Sequence, residues 1–272
     1  MRSLPTLRDR TLAWLAACER DGGMGFGFSA SAEDATVMAQ SLGILVLELL
    51  DALPDERAPA WIDRLVRAQD PKTGLFVDPL LHEADLLKPK PGLNYITYQT
   101  TYFALQALDA LGSRPPYPLT FVEPLKAPGG VEGWLAGLDW SEPWRESNWI
   151  MFMAAALYIQ SVDDGDDASL AALHRILDWL DAHQDPATGY WGTQTPHNAP
   201  LRHGMAGAYH FVPFYLALGR EIHYPEVMVG STLSLQQDDG LFSPKGGGDA
   251  CLDVDAVDLL VKCAPFVRSR QS

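Results

Sequence analysis

The chain has 272 residues, 47% of them hydrophobic, which is enough for one large globular domain or two small ones. Its formal net charge of −15 repels phosphate, so nucleic acid is excluded as a natural partner and anionic membranes are disfavoured. Its three cysteines, Cys18, Cys251 and Cys263, have no paired spacing and suit a reducing cytosol, and no apolar run is long enough to span a membrane.

In chain order, the first predicted element is an amphipathic helix in "MRSLPTLRDRTLAWLAACERDGG", whose internal charges make it read as such a helix rather than as a signal peptide. A turn, "ERDGGMGF" from Glu19, leads to the apolar helix "DATVMAQSLGILVLELLDAL". The amphipathic "WIDRLVRAQ" then runs into "QDPKTGLF" at Gln69. A Pro-containing connection, residues 77 to 94, is expected to cover one mouth of the fold and precedes the helix "TYQTTYFALQALDALG". "GGVEGW", Gly129 to Trp134, reads as a degenerate turn before "SNWIMFMAAALYIQ". "VDDGDDAS" is an inter-helix loop in which Asp166 or Asp167 caps the next helix. "LHRILDWLDAHQ" leads to "QDPATGYW" at Gln184, then to "GMAGAYHFVPFYLALG", where Pro213 is expected to kink or interrupt the helix. "QDDGLF" at Gln237 precedes the last helix, "ACLDVDAVDLLVKCA".

The pattern is an internal repeat of about five units, roughly 50 to 57 residues each. In every unit a helix polar on one side is followed by a Gly-aromatic turn and a more apolar helix, so an outer and an inner layer are expected. The fold class is all-α. Stacked hairpins of this kind form an α/α solenoid or close into an α/α toroid, and closure of five to six hairpins in a single domain over residues 1–272 is favoured because no end repeat is a strongly polar cap. Inner helices are expected to start near residues 33, 94, 145, 203 and 249, all facing one mouth.

The turns "QDPKTGLF" and "QDPATGYW", each followed by a helix such as "TYFALQALDALG", resemble the Gln/Trp repeats of the terpenoid cyclase and protein prenyltransferase α/α toroids. The resemblance covers roughly residues 10 to 266 and implies a central cavity that binds an isoprenoid or other apolar small molecule. Class II cyclases of this superfamily carry Asp-x-Asp-Asp, whose middle Asp protonates an alkene or epoxide. Here Asp253, Val254 and Asp255 match, Asp255 stands at the proton-donor position, and Ala256 replaces the last Asp. Prenyltransferase β subunits instead use an Asp-x-Cys pair and a later His on zinc. Asp249 and Cys251 match the pair, but no His comes after them, so His203 or His210 would have to complete the site.

The last helix therefore holds the candidate catalytic residues Asp249, Asp253 and Asp255. At about 100° per residue, Asp249 and Asp253 share one side, while Cys251, Asp255, Asp258 and Lys262 share the other. Leu252, Leu259, Val254, Val257 and Val261 fill the flanks and are expected to pack on neighbours. The plainer reading is a cap at Asp249, an Asp258–Lys262 pair and two solvated acids. Candidate binding residues lie at the other inner-helix starts: His203, Tyr209 and His210 beside small residues, Arg145, Asn148 and Trp149 in "WRESNWIM", and Tyr98 in a tyrosine stripe. Each has a structural alternative, namely a hydrogen-bonded core histidine, an Arg145–Glu146 ion pair, or aromatic core. No phosphate loop, dinucleotide fingerprint or His-Glu-x-x-His is present, so no cofactor is expected, and no metal beyond the zinc alternative. A small-molecule substrate is the expected partner, and homo-oligomer formation is compatible with the sequence. Three functions compete: a cyclase-like lyase or isomerase using Asp255 or Asp253 as acid, a carbohydrate-active α/α barrel using its tryptophans for stacking, and a non-catalytic toroid binding a protein or small ligand.

Overall fold

The structure, a computed structural model, describes residues 6–81, 94–244 and 249–269. Helix accounts for 61% of the described residues and strand for 2%, so the fold is all-α. It divides into two compact units, residues 1–121 and 122–272. Most of the connection expected over 77–94 lies outside the described residues.

In the first unit, α1 (Leu7–Ala17) starts at a capping box: the Thr6 hydroxyl accepts from the Asp9 amide, and the Asp9 carboxylate accepts from the Thr6 amide. The helix is as expected, but its amphipathic burial is weak. Of its residues only Leu15 is buried, and Leu7 and Trp14 are exposed. A short hairpin, β1 (Glu19–Arg20) with antiparallel β2 (Gly25–Phe26), forms the first turn. The inner helices α2 (Val37–Leu49) and α4 (Tyr95–Ala110) pack together, with α3 (Ala58–Arg67) against both. Thr36 caps α2, and the buried Asp78 carboxylate accepts from the Val37 amide at 2.6 Å, so a negative charge sits on the helix's positive end.

The second unit contains the short helices α5 (Glu123–Lys126) and α6 (Gly130–Ala136), followed by α7 (Pro143–Asp163), α8 (Asp167–His183), α9 (Leu201–Ala217), α10 (Pro225–Leu233) and α11 (Ala250–Ser269). The inner helices pack in the order α7, α9, α11; α8 lies against α7, and α10 against α9 and α11. Asp166 caps α8 through the Ala168 and Ser169 amides. Pro213 does not interrupt α9, which continues to Ala217. The five inner helices begin at residues 37, 95, 143, 201 and 250, two in the first unit and three in the second.

The repeated turns share one set of bonds. Asp70 N donates to Leu75 O at 2.8 Å, Gly74 N to Asp70 O at 2.8 Å, and Gln69 Nε2 to Gly74 O at 3.0 Å. Asp185 N donates to Tyr190 O at 2.8 Å, Gly189 N to Asp185 O at 2.7 Å, and Gln184 Nε2 to Gly189 O at 2.7 Å. The glycine is required because φ is 78° at Gly74 and 74° at Gly189. Each turn delivers an aromatic ring to the core: Phe26, Phe76, Trp191 and Phe242 are all buried. The expected degenerate copy at Gly129–Trp134 is different. Without the Gln-Asp pair it forms no such clamp; Gly129 is instead the left-handed residue before α6, and Trp134 is only half-buried. The buried aromatic before α7 is Trp140, whose Nε1 donates to Leu135 O as Trp191 Nε1 does to Leu180 O.

Candidate functional site

Helix α11 has two apolar faces. Leu252, Ala256, Leu259 and Cys263 are buried, whereas Val254, Val257 and Val261 are exposed. The expectation that both flanks pack on neighbours therefore fails for the valine flank. Between the two faces runs the strip Cys251, Asp255, Asp258, Lys262, which lies beside Tyr209 of α9. Lys262 Nζ stands 5.5 Å from the Tyr209 ring centroid and pairs with Asp258 at 2.5 Å. Asp258 thus makes the expected i,i+4 pair.

Asp255 is 6% exposed and has no hydrogen-bond partner among the described residues. Its pKa is pushed up to about 7, first by burial and then by the charges of Asp249 and Asp258. The carboxyl is therefore about half protonated at neutral pH. The same surroundings raise the Tyr209 hydroxyl, through burial and then Asp255, Asp258 and Cys251, and raise the Cys251 thiol through burial, Asp255 and Asp249.

Asp253 has a different environment. Its Oδ1 accepts from the amides of Phe242 at 2.7 Å and Ser243 at 3.0 Å, tying the last repeat turn, which begins at Gln237, to α11. That bonding gives Asp253 a structural task and directs its carboxylate away from the Asp255 strip.

A second group gathers where α7 and α9 begin. His203 Nδ1 is 3.9 Å from Glu142 Oε2, and its ring centroid is 5.8 Å from that of Trp144. Burial, then Arg202, lowers the His203 pKa, while Glu142 opposes the shift. Arg145 pairs with the buried Glu146 at 3.1 Å, as the structural reading of the sequence expects, and with Asp139 at 3.8 Å. Asn148 Nδ2 donates to Trp144 O at 2.8 Å, within its own helix, and Trp149 is buried edge-on to Phe152. His210 is buried and bonded through Nδ1 to Ser147 Oγ at 2.7 Å. Because the Ser147 hydroxyl donates to Trp144 O, His210 must donate from Nδ1. Burial lowers its pKa to about 4, so it is a neutral core histidine. Tyr98 belongs to the first unit, where it meets Phe121 edge-on with centroids 5.5 Å apart, and burial raises its hydroxyl.

The structure thus brings Asp249, Asp255 and Tyr209 together, and separately brings Arg145 and His203 to one helix end. Ser147, the partner of His210, is not evident from the sequence; a serine on an apolar inner helix carries no signal of which histidine it meets. Among the described residues no group of three or more His, Cys, Asp and Glu side chains could hold a metal ion, and Asp249 with Cys251 gains no third ligand there.

Cavities lined by described residues lie away from this strip. A cleft of about 730 Å³ in the first unit is lined by Val37, Arg64, Gln69, Asp78 and Leu80, among others. A pocket of about 240 Å³ in the second unit is lined by Trp140, Trp179, His183, Gln194 and His197, among others. Trp179 stacks on Trp140 at 4.8 Å and on His183 at 3.7 Å. Comparison with protein-family models, with curated proteins and with solved structures finds no match for the chain.

Proposed function

We propose that this chain is a cyclase-like acid catalyst acting on an apolar, unsaturated small molecule, with Asp255 as the proton donor. The observation that carries the reading is a buried carboxyl without a hydrogen-bond partner among the described residues, holding its proton up to about pH 7. A general acid works best when its pKa lies near the working pH, and an ordinary solvated Asp at about 3.9 does not hold a proton there. In the proposed step the Asp255 O–H bond breaks and a C–H bond forms at one alkene carbon. The other carbon becomes a carbocation, and Asp255 becomes a carboxylate. Proton loss from the rearranged cation regenerates the acid, so the net reaction is an isomerisation. The half-buried Tyr209 ring supplies an electron-rich wall beside the strip, although Lys262 already lies over it.

The test is incubation of a panel of acyclic polyprenyl compounds in heavy water. An acid-initiated isomerisation puts one solvent deuterium on carbon, detected by mass spectrometry. Asp255→Asn abolishes incorporation with the fold intact, and Asp253→Asn retains it if folding survives. Incorporation by Asp255→Asn equal to that of the parent chain refutes the assignment.

A second reading, carbohydrate chemistry, is favoured by the Trp140–Trp179–His183 stack beside the smaller pocket of the second unit. Sugar-induced quenching of tryptophan fluorescence that Trp179→Ala removes, without any polyene turnover, would favour it over acid catalysis at Asp255.

A further inference from the structure

We propose that the smaller pocket of the second unit binds one uncharged ring that donates a hydrogen bond to Gln194. The pocket is built from three stretches of chain. Trp140 stands before α7, Trp179 and His183 lie in the last turns of α8, and Gly192, Gln194 and His197 belong to the loop after the Gln184 turn. Gly192 has φ 77°, and a Cβ there would lie 2.3 Å from Trp140 O, so only glycine lets the loop come this close. The amides of His197 and Asn198 donate to Gln194 O at 2.9 and 3.0 Å, which holds Gln194 in a turn. Its side-chain Nε2 donates to His183 O at 3.0 Å.

That bond settles the orientation of the amide, because a carbonyl only accepts. Gln194 Oε1 is the atom left over, and it is buried without a hydrogen-bond partner. Buried acceptors are nearly always paired, and a donor carried by a ligand removes the cost of leaving this one bare. His183 adds a second acceptor. Its Nδ1 is 2.7 Å from Trp179 O and must carry the proton, so Nε2 of the neutral ring is bare. The exposed His183 ring stacks on Trp179 at 3.7 Å, which leaves its other face for a ligand ring. A volume of about 240 Å³ admits one ring, not a chain of them. Among the described residues no Asp, Glu, Lys or Arg lines the pocket. A charged ligand would lose hydration there without gaining a counter-ion, so the occupant is neutral. Two sources share this chemistry: a flat ring bearing an N–H, and a pyranose bearing O–H groups. The second deepens the carbohydrate reading of the pocket, and neither rests on Asp255.

Nitrogen-15 NMR of the whole chain with labelled tryptophan tests the proposal, the probes being benzamide and methyl β-glucopyranoside. At least one should saturate a single site at roughly millimolar concentration. It should shift the indole signals of Trp140 and Trp179 and leave that of Trp61, a core residue of the first unit, in place. N,N-dimethylbenzamide lacks the donor and should bind about tenfold more weakly than benzamide. Benzoate and benzylammonium should lose at least as much. Using both signs separates the pocket from the net charge of −15, which repels only the anion. Ala136→Trp fills the pocket from an exposed position and should abolish the shifts. Gln194→Met should weaken whichever probe binds by about tenfold. If neither neutral probe binds, or if Gln194→Met binds like the parent, the proposal is overturned. The same holds if the dimethyl or a charged analogue binds as well as benzamide. Should Gln194→Met fail to fold, the dimethyl comparison decides. Binding of the glucoside alone supports the proposal and the carbohydrate reading together, whereas binding of benzamide alone supports the proposal and removes that reading. No arm reads turnover, so acid catalysis at Asp255 stands or falls separately.

Discussion

Asp253 and Asp255 are two residues apart on α11 and have opposite surroundings: Asp253 accepts two backbone amides, whereas Asp255 is buried without a hydrogen bond among the described residues. The fold uses the charge of the first and resists the charge of the second. Asp253→Ala leaves the Phe242 and Ser243 amides without their acceptor and is expected to cost about 1–3 kcal/mol. Chemical denaturation at pH 7 measures it, and a change within about 0.5 kcal/mol would remove the structural role assigned to Asp253.

Asp255 and His210 give opposite pH dependences that hide each other. The folded-state pKa of Asp255 is raised to about 7, so its contribution is fully present below its unfolded value near 3.8 and is lost as pH rises through 7. The folded-state pKa of His210 is lowered to about 4, so its contribution is fully present above its unfolded value near 6.5 and is lost as pH falls through 4. Between about pH 4 and 6.5 the two slopes oppose each other, and together they leave stability nearly flat. Asp255→Asn removes the alkaline loss, so stability rises with pH relative to the parent, by roughly 2–4 kcal/mol between pH 4 and 8. Ser147→Ala leaves the His210 Nδ1–H without its acceptor, at a cost of about 1–3 kcal/mol near pH 7. Urea denaturation curves at unit pH steps check all three statements. Parallel stability curves for Asp255→Asn and the parent would show that Asp255 is not desolvated.

The turn glycines separate backbone strain from steric exclusion. Gly112 and Gly74 both have positive φ, 65° and 78°. A Cβ on Gly112 meets nothing within 4 Å, whereas one on Gly74 lies 2.2 Å from the Pro118 carbonyl oxygen. Gly112→Ala is therefore expected to cost about 1 kcal/mol from backbone conformation alone. Gly74→Ala is expected to cost more than about 3 kcal/mol, because the obstacle is backbone. Gly189→Ala, 2.6 Å from the Met228 amide nitrogen, belongs with Gly74→Ala. Thermal melts of the three variants test the order, and equal losses at Gly112 and Gly74 would contradict the close approach.

The repeat is legible in the sequence because its turns are local. The bonds that close the turns at Gln69, Asp70 and Gly74, and at Gln184, Asp185 and Gly189, join residues a few positions apart, so eight letters of sequence carry the turn geometry, whereas the second tie of Gln69, to the Tyr117 backbone, is not local. The third unit misleads because a Gly-Gly pair and a tryptophan mimic the motif without the side chains that clamp it; the buried ring is Trp140, not Trp134. On α11, helical periodicity places Cys251, Asp255, Asp258 and Lys262 on one strip, as found. Periodicity alone does not say which apolar flank is covered, so it predicts packing for valines that in fact face water. Nor does it say which acid meets amides from another turn, and Asp253 cannot be told from Asp255 by sequence.

The charges around Asp255 provide the last prediction. Burial is the larger cause of its raised pKa, with Asp249 and then Asp258 adding to it. Removing either neighbouring charge should lower the Asp255 titration without returning it to the ordinary carboxylate range, because the desolvation remains. Asp258→Asn also frees Lys262 from its ion pair, leaving an uncompensated cation on the same strip that further favours ionised Asp255. Lys262→Met acts in the opposite sense: it leaves the Asp258 charge uncompensated, so the Asp255 titration should move up. Carbon-13 NMR of labelled aspartate side chains tracks the carboxyl directly, with Asp255→Asn identifying its resonance. Downward shifts in Asp249→Asn and Asp258→Asn together with an upward shift in Lys262→Met would establish the strip as one coupled electrostatic unit. If none of the three substitutions moves the resonance, the neighbouring charges are screened by solvent and burial alone sets the acid.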